Sequence, residues 1–315
     1  MKPKSFHLLL LLSFFPALCQ AEEGGGGHYT PGGIASMMDN APDTPGFALS
    51  LMYNYYEADA SAGLVIPEAG NLELGMSAVA NTAVVGFSYL FEPKLWDATI
   101  MTGVFIPIQD IEVNAKANLK LGGSASQHDT TTDIGDITII PFFLTWKNGD
   151  WSWCALLNIY APTGGFDVGA LANTGKNYWT FDPTVGFTYF GEESGFSATA
   201  FAGMTMNTEN TATDYQSGAG VHFDGTVAQY LPVGKGYLGL GATGFYFQQV
   251  TGDSGAGATL GGFEGRTAGV GPVLSWIQEL GEKRSLMAEL KWLPELDTRK
   301  RLAGNYLWFK FGMNF

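Results

Sequence analysis

Three features of this 315-residue sequence predict an all-β fold, an antiparallel up-and-down β-barrel that spans a membrane. Stretch after stretch alternates apolar and polar residues with period two. The connections between these stretches alternate between short and long. An apolar leader is followed by no second run long enough to cross a bilayer as a helix. The composition agrees, because 43 Gly beside 22 Phe, 13 Tyr and 8 Trp suit strands and turns better than a helical core.

Lys2 and Lys4 form a basic start, HLLLLLSFFPALC an apolar core, and Cys19-Gln20-Ala21 the cleavage positions, so residues 1–21 read as a secretory signal. Bulky Leu18 disfavours acylation at Cys19. Cleavage leaves Cys154 as the one cysteine of the mature chain, so no intramolecular disulfide holds it. It also removes two lysines and no acid, taking the net charge from −14 to −16. An acidic chain of this kind has no surface for nucleic acid.

Residues 22–45 carry six Gly, three Pro and no strand period. Two readings stand: a plug folded into the lumen, with His28 and Tyr29 as its candidate residues, or a disordered leader before the first strand. The barrel itself is assigned to residues 46–315. Candidate strands cover 46–57, 78–91, 97–114, 136–147, 150–161, 178–190, 195–207, 218–231, 235–249, 265–279, 284–295 and 302–315. Twelve is the expected count, with ten or fourteen as alternatives. In Phe47 to Tyr56 the residues Phe47, Leu49, Leu51, Tyr53 and Tyr55 share one side. IEVNAKANLKL alternates in the same way from Ile111 to Leu121.

The connections EPKLWD, NGD, GEESG, PVGK and LGEK are tight turns, whereas residues 57–77, 115–135, 162–177 and 250–264 are long and rich in Gly, Asp, Asn, Ser and Thr. Sorting by parity is how outer-membrane barrels are built, with turns toward the periplasm and loops outside. A soluble sandwich has no reason for it. The outward face of such a barrel meets lipid and must be apolar, while the inward face can carry charge. Leu307, Phe309, Phe311, Met313 and Phe315 are therefore expected to face lipid, and Tyr306, Trp308 and Lys310 the lumen. The same parity turns Asp182, His222, Asp224, Glu289 and Lys291 inward, and predicts a lumen network of Glu289, Lys291 and Lys310. Trp151, Trp153 and Tyr189 are candidates for the interfacial girdle.

Two surface partners are expected. The aromatic C-terminal residue looks like the signal read by the barrel-assembly machinery. Arg299, Lys300 and Arg301 cluster in a short connection, where they could contact lipopolysaccharide phosphates or stand as a solvated turn. Closure of the sheet is required, since an open edge in hydrocarbon leaves backbone groups unpaired.

Chemistry finds little footing. His28, His128 and His222 are far apart in sequence for a metal site. Asp129, Asp133 and Asp136 near His128 lack the glycine and terminal Glu of a dedicated calcium loop. A barrel lipase or acyltransferase needs Ser or Cys beside His near the outer rim, yet His222 and Cys154 are expected inward. No catalytic residue, metal ligand or cofactor site is assigned.

Five motifs carry a family resemblance: EGGGGHYTPGG (Glu23 to Gly33), TPGF (Thr44 to Phe47), TDIGDITIIP (Thr132 to Pro141), APTGGFD (Ala161 to Asp167) and N-x-G-x-N-x-W (Asn173 to Trp179). Together they resemble the family named for the meta-pathway of phenol degradation, over nearly the whole mature chain. The resemblance implies a barrel in the bacterial outer membrane that passively admits small hydrophobic or aromatic molecules. It brings no catalytic residues. A general acidic, cation-preferring porin is the alternative, and it fits the charge if the acids line the lumen.

Overall fold

Strands with one apolar face can pair edge to edge until the sheet meets itself, and here it does. The computed structural model describes residues 26–41, 44–59, 64–65, 72–92, 94–119, 124–259, 261–281 and 284–315. The secretory signal assigned to residues 1–21 lies outside them. The strands are β1 (Gly46–Asp59), β2 (Leu64–Val65), β3 (Leu72–Leu90), β4 (Thr99–Leu119), β5 (Ser124–Ile134), β6 (Ile137–Asn148) and β7 (Trp151–Ala161). They continue as β8 (Thr180–Phe190), β9 (Phe196–Asn207), β10 (Gly220–Val233), β11 (Gly236–Gln249), β12 (Arg266–Gly281), β13 (Arg284–Arg299) and β14 (Ala303–Asn314).

Twelve of them close an antiparallel ring. The ladder runs β3-β1-β14 and down to β6 and β4, and β4 pairs β3 to complete it. At the seam Leu51 faces Phe311 and Asn54 faces Trp308, and the Phe315 amide donates to the Phe47 carbonyl at 2.8 Å. Closure leaves no edge of the ring unpaired in lipid. Among the described residues no helix is long and apolar enough to cross a membrane, which says nothing against crossing by strands.

Two loops expected from the sequence are strands in part. The segment 115–135 continues β4 to Leu119 and returns as β5, which pairs only with β4, from Ile108↔Ile134 to Asn118↔Ser124. Likewise β3 begins at Leu72 and carries the two-residue β2 on its far end. These pieces extend a hairpin beyond the ring, where neither face meets lipid. A strand such as SASQHDTTTDI can therefore be polar on both faces, with Ala125 and Ile134 its only apolar residues.

Inside the ring the expected parity holds. In β8, Asp182, Thr184 and Thr188 are buried while Phe181, Val185 and Phe187 are exposed on the outer face. Trp151 and Trp153 are exposed too, and Trp151 packs on Tyr189 near the short-turn end. Two prolines mark flaws in the wall. The β6–β7 register jumps between Ile139 and Phe143, around Pro141, and the β8–β9 ladder skips from Phe181 to Thr184, across Pro183. Proline has no N–H to give to a ladder. A concavity lined by Phe142, Leu157, Pro183, Val185, Met204 and Phe223 lies at this flaw, and it opens on the lipid-facing side.

Candidate functional site

The lumen is occupied by the chain's own residues 26–41, which run from the long-loop end toward the short-turn end before entering β1. This segment has a single 3-10 turn, Met37–Asp39, and no strand. Irregular backbone away from water must find partners for its N–H and C=O groups. Here the wall's side chains supply partners at Pro31, Gly32 and Ile34, and turns within the segment supply others, such as Gly33 N–H to the Thr30 carbonyl.

At the long-loop end His28 reaches two wall groups, with Nε2 2.8 Å from Asp136 Oδ2 and Nδ1 2.7 Å from Thr180 Oγ1. The Thr180 hydroxyl already donates to Asn207 Oδ1 at 2.6 Å, and the Asn207 amide nitrogen is fixed by the carbonyls of Ser217 and Gly218. His28 must therefore donate from both ring nitrogens, which only the imidazolium can do. The ring also stacks on Tyr160 at 4.8 Å. Asp136 further accepts from the amides of Gly164 and Lys176. Burial pushes its carboxyl up, but the His28 hydrogen bond and charge, with those two amides, outweigh burial and hold it below the ordinary range.

One residue on, the Tyr29 hydroxyl donates to both oxygens of Asp224, at 3.0 and 2.9 Å. Its ring stacks on His222 at 4.3 Å and on Phe247 at 5.5 Å. Burial first, and then the Asp224 charge, push the phenol well above its ordinary pKa, so it stays a donor. His222 is itself held by two carboxylates, Nε2 3.1 Å from Asp182 Oδ1 and Nδ1 3.3 Å from Asp224 Oδ2. Asp182 also accepts from Asn158 and Thr184. A Cβ on Gly203 would fall 2.2 Å from His222 Nε2, so only glycine leaves that ring its place.

Mid-barrel, Gly32 sits at φ +76°, where a Cβ would strike Leu293 at 2.2 Å; both observations require glycine. Its amide donates to Asp224 at 3.2 Å, and its carbonyl accepts from Lys291 Nζ at 3.1 Å. Lys291 also donates to the Ile34 carbonyl at 3.3 Å and forms an ion pair with Glu289 at 3.1 Å. Trp308 Nε1 donates to the Pro31 carbonyl at 2.9 Å.

Toward the short turns, Lys310 donates to both oxygens of Asp39, at 2.9 and 3.0 Å, and lies 3.7 Å from Glu289. Burial raises the Asp39 carboxyl, but Lys310, Lys291 and a hydrogen bond from Ser36 bring it below the ordinary range. On the opposite wall Ala35 enters an apolar cluster with Leu90, Met101, Ile140, Phe143 and Cys154. The segment is thus greasy against one side of the lumen and ionic against the other.

A family model described as "Putative MetA-pathway of phenol degradation" matches residues 39–311. The chain belongs to this family. A solved outer membrane channel, the COG4313 channel from Pseudomonas putida F1, shares 14% identity over 91% of this chain and 100% of its own, with a TM-score of 0.59. The β domain of the Bordetella autotransporter BrkA aligns over 86% of this chain and 100% of its own at 9% identity and a TM-score of 0.48. No curated protein matches the sequence. The family match begins at Asp39, so the stretch from His28 to Met38 lies before it.

Every inward candidate is brought to this one site or its border: Asp182, His222, Asp224, Glu289, Lys291, Tyr306, Trp308 and Lys310 are all buried. Tyr306 contributes by stacking on Tyr56 at 4.3 Å. Cys154 is buried inward, as its parity implied. Sequence reasoning did not find Asp39, Thr180 or Phe247, and it met Asp136 only in connection with calcium, not as the partner of His28. Three placements correct or refine expectation. His128 stands in β5 rather than in a loop, exposed and 2.9 Å from Asn114 Oδ1. Asp129 and Asp136, grouped with Asp133 as calcium candidates, instead accept the amides of Leu171 and Ala172, and of Gly164 and Lys176. Arg301, grouped with Arg299 and Lys300 as a lipopolysaccharide contact, lies 4.9 Å over the ring of buried Phe247 and so turns into the barrel mouth.

Proposed function

We propose that this chain is an outer-membrane channel for passive uptake of small hydrophobic or aromatic compounds, with residues 26–41 as its plug. One observation carries the reading: the inner segment is tied to the wall from the His28–Asp136 pair to the Lys310–Asp39 pair, across most of the barrel's height. A general porin needs a wide water-filled pore, and a lumen filled in this way supports that alternative poorly. The family description, which refers to phenol degradation, favours aromatic solutes. No step in this reading requires an enzyme.

Deleting residues 24–40 is expected to raise single-channel conductance, and unchanged conductance would remove the plug from the account. Liposomes holding the intact protein should take up phenol-like solutes in preference to sugars. Equal permeation of both would favour the cation-preferring porin. In this reading the short turns face the periplasm and the long loops the outside, and exposed Arg299 and Lys300 are the proposed contacts for lipopolysaccharide phosphates. An epitope inserted after Lys300 should be reached by antibody on intact cells; labelling only after permeabilisation would reverse the orientation and end the lipopolysaccharide role.

A further inference from the structure

We propose that the seat of Tyr29 is a binding slot for phenols, and that a phenolic solute competes with Tyr29 for it. The inference rests on the channel reading above and names a substrate class for it. Tyrosine's side chain is p-cresol joined to the backbone by one bond, so the contacts of Tyr29 describe how the wall recognises a phenol. Asp224 takes the hydroxyl on both oxygens, while His222 and Phe247 stack against the ring.

The two partners in this contact differ in kind. His222, Asp224 and Phe247 are inward residues of β10 and β11, paired strands in which His222 stands directly opposite Phe247. Asp182 and Asp224 hold the imidazole in orientation, and Gly203 leaves it room. This half of the slot is built into the wall. The occupant belongs to a segment without regular structure, tied in by individual polar contacts.

The carboxylate makes the slot selective. With Tyr29 seated, Asp224 accepts the phenol hydroxyl, the Gly32 amide at 3.2 Å and His222 Nδ1 at 3.3 Å. When the segment withdraws, two of these three donors leave together and a buried carboxylate keeps only the imidazole. A phenol restores a donor at that point, whereas toluene fills the same space and leaves the carboxylate short. Sites built around a buried hydrogen-bonding group reject analogues that lack the matching group far more strongly than apolar pockets reject a missing methylene.

The test uses the full-length mature protein in detergent or liposomes. Tyr29→Gly removes the internal phenol, and p-cresol and toluene are titrated against thermal unfolding and single-channel conductance. We expect p-cresol to bind at least about 10-fold more tightly than toluene, as one hydrogen bond to a charged acceptor implies. Asp224→Asn in the same chain should erase that preference. Equal binding of the two compounds, no binding of either, or a preference that survives Asp224→Asn would overturn the slot. Should Tyr29→Gly not fold, Tyr29→Phe keeps the ring and loses the hydroxyl. Its conductance should then respond to p-cresol at about 10-fold lower concentration than wild type, and an identical response would overturn the slot. Uptake of phenol-like solutes by wild-type liposomes judges the channel reading separately. Uptake without the p-cresol preference rejects the slot alone, and the preference without uptake rejects only the channel.

Discussion

The inner segment meets the wall with opposite charge sense at its two ends. Toward the long loops the wall holds carboxylates, Asp136 and Asp224, and the segment supplies donors from His28, Tyr29 and the Gly32 amide. Toward the short turns the wall holds the ammonium groups of Lys291 and Lys310, and the segment supplies acceptors, the carbonyls of Gly32 and Ile34 and the carboxylate of Asp39. The reversal happens within one residue, since Gly32 gives its N–H to Asp224 and its C=O to Lys291. A segment threaded the other way would bring Asp39 to the wall's acids and His28 to its lysines. Polar contacts of this kind specify direction and register more than they add stability.

Breaking the short-turn end at its centre should have the largest effect. Lys291 is fully buried, and Lys291→Met strands two carbonyls and leaves Glu289 with Lys310 at 3.7 Å as its one cation among the described residues, beside the Ser275 hydroxyl at 3.3 Å. Removing one partner of a buried ion pair costs about 3–5 kcal/mol. Urea unfolding of the refolded barrel should register a loss of that size, and Glu289→Gln in the same chain should return most of it. A loss near zero for Lys291→Met would mean that the lysine does not anchor the segment.

The matching break at the long-loop end is expected to be smaller. Asp224→Asn keeps an acceptor for Tyr29 but turns an amide N–H₂ toward His222 Nδ1 or the Gly32 amide, both of which donate. Losing a charge-assisted acceptor costs about 1.5–3 kcal/mol. A double-mutant cycle with Tyr29→Phe should give a coupling above about 0.5 kcal/mol, the threshold for residues in contact. Additive effects would mean that the 2.9 Å contact does not bear on stability.

The wall was legible in the sequence and the inner segment was not, for one physical reason. A strand between lipid and lumen must keep one face uniformly apolar, so Glu289 and Lys291 declare themselves by interrupting Ala288, Leu290 and Trp292 on alternate positions. The same rule hid β5, because outside the lipid neither face of SASQHDTTTDI has to be apolar. It also gave no access to residues 26–41. That stretch follows the wall's donors and acceptors instead of a period, and which acid answers Lys310 depends on threading. His28 and Tyr29 were visible as the ring-bearing residues in a glycine run. Their partners Thr180, Asp136 and Phe247 lie more than a hundred residues away and carry no local mark.

Between the two ends a neutral contact offers a calibration. Trp308→Phe removes the 2.9 Å hydrogen bond to the Pro31 carbonyl and keeps most of the ring. The expected loss in urea unfolding is about 1 kcal/mol. A loss as large as that of Lys291→Met would place the anchoring in packing around Gly32 and Leu293 rather than in charge.

The gentlest probe is pH, and its sign follows from the two acids of the tethers. Asp39 and Asp136 are both held below the ordinary carboxylate range, while an unfolded Asp titrates near about 3.9. A group with a lowered folded pKa contributes stability that is complete above the unfolded value and is lost as the pH falls through the folded one. These two tethers should therefore hold unchanged from about pH 7 to about pH 5 and weaken only below about pH 4. Conductance of the wild-type channel recorded over that span should stay flat and then rise. Substitution separates the ends: Asp39→Asn removes the acid-labile group at the short turns and leaves Asp136, which keeps the amides of Gly164 and Lys176 even without His28. The variant should start from a higher conductance and keep a smaller acid step. A step between about pH 7 and about pH 5 in wild type would mean that some group other than these two carboxylates holds the segment.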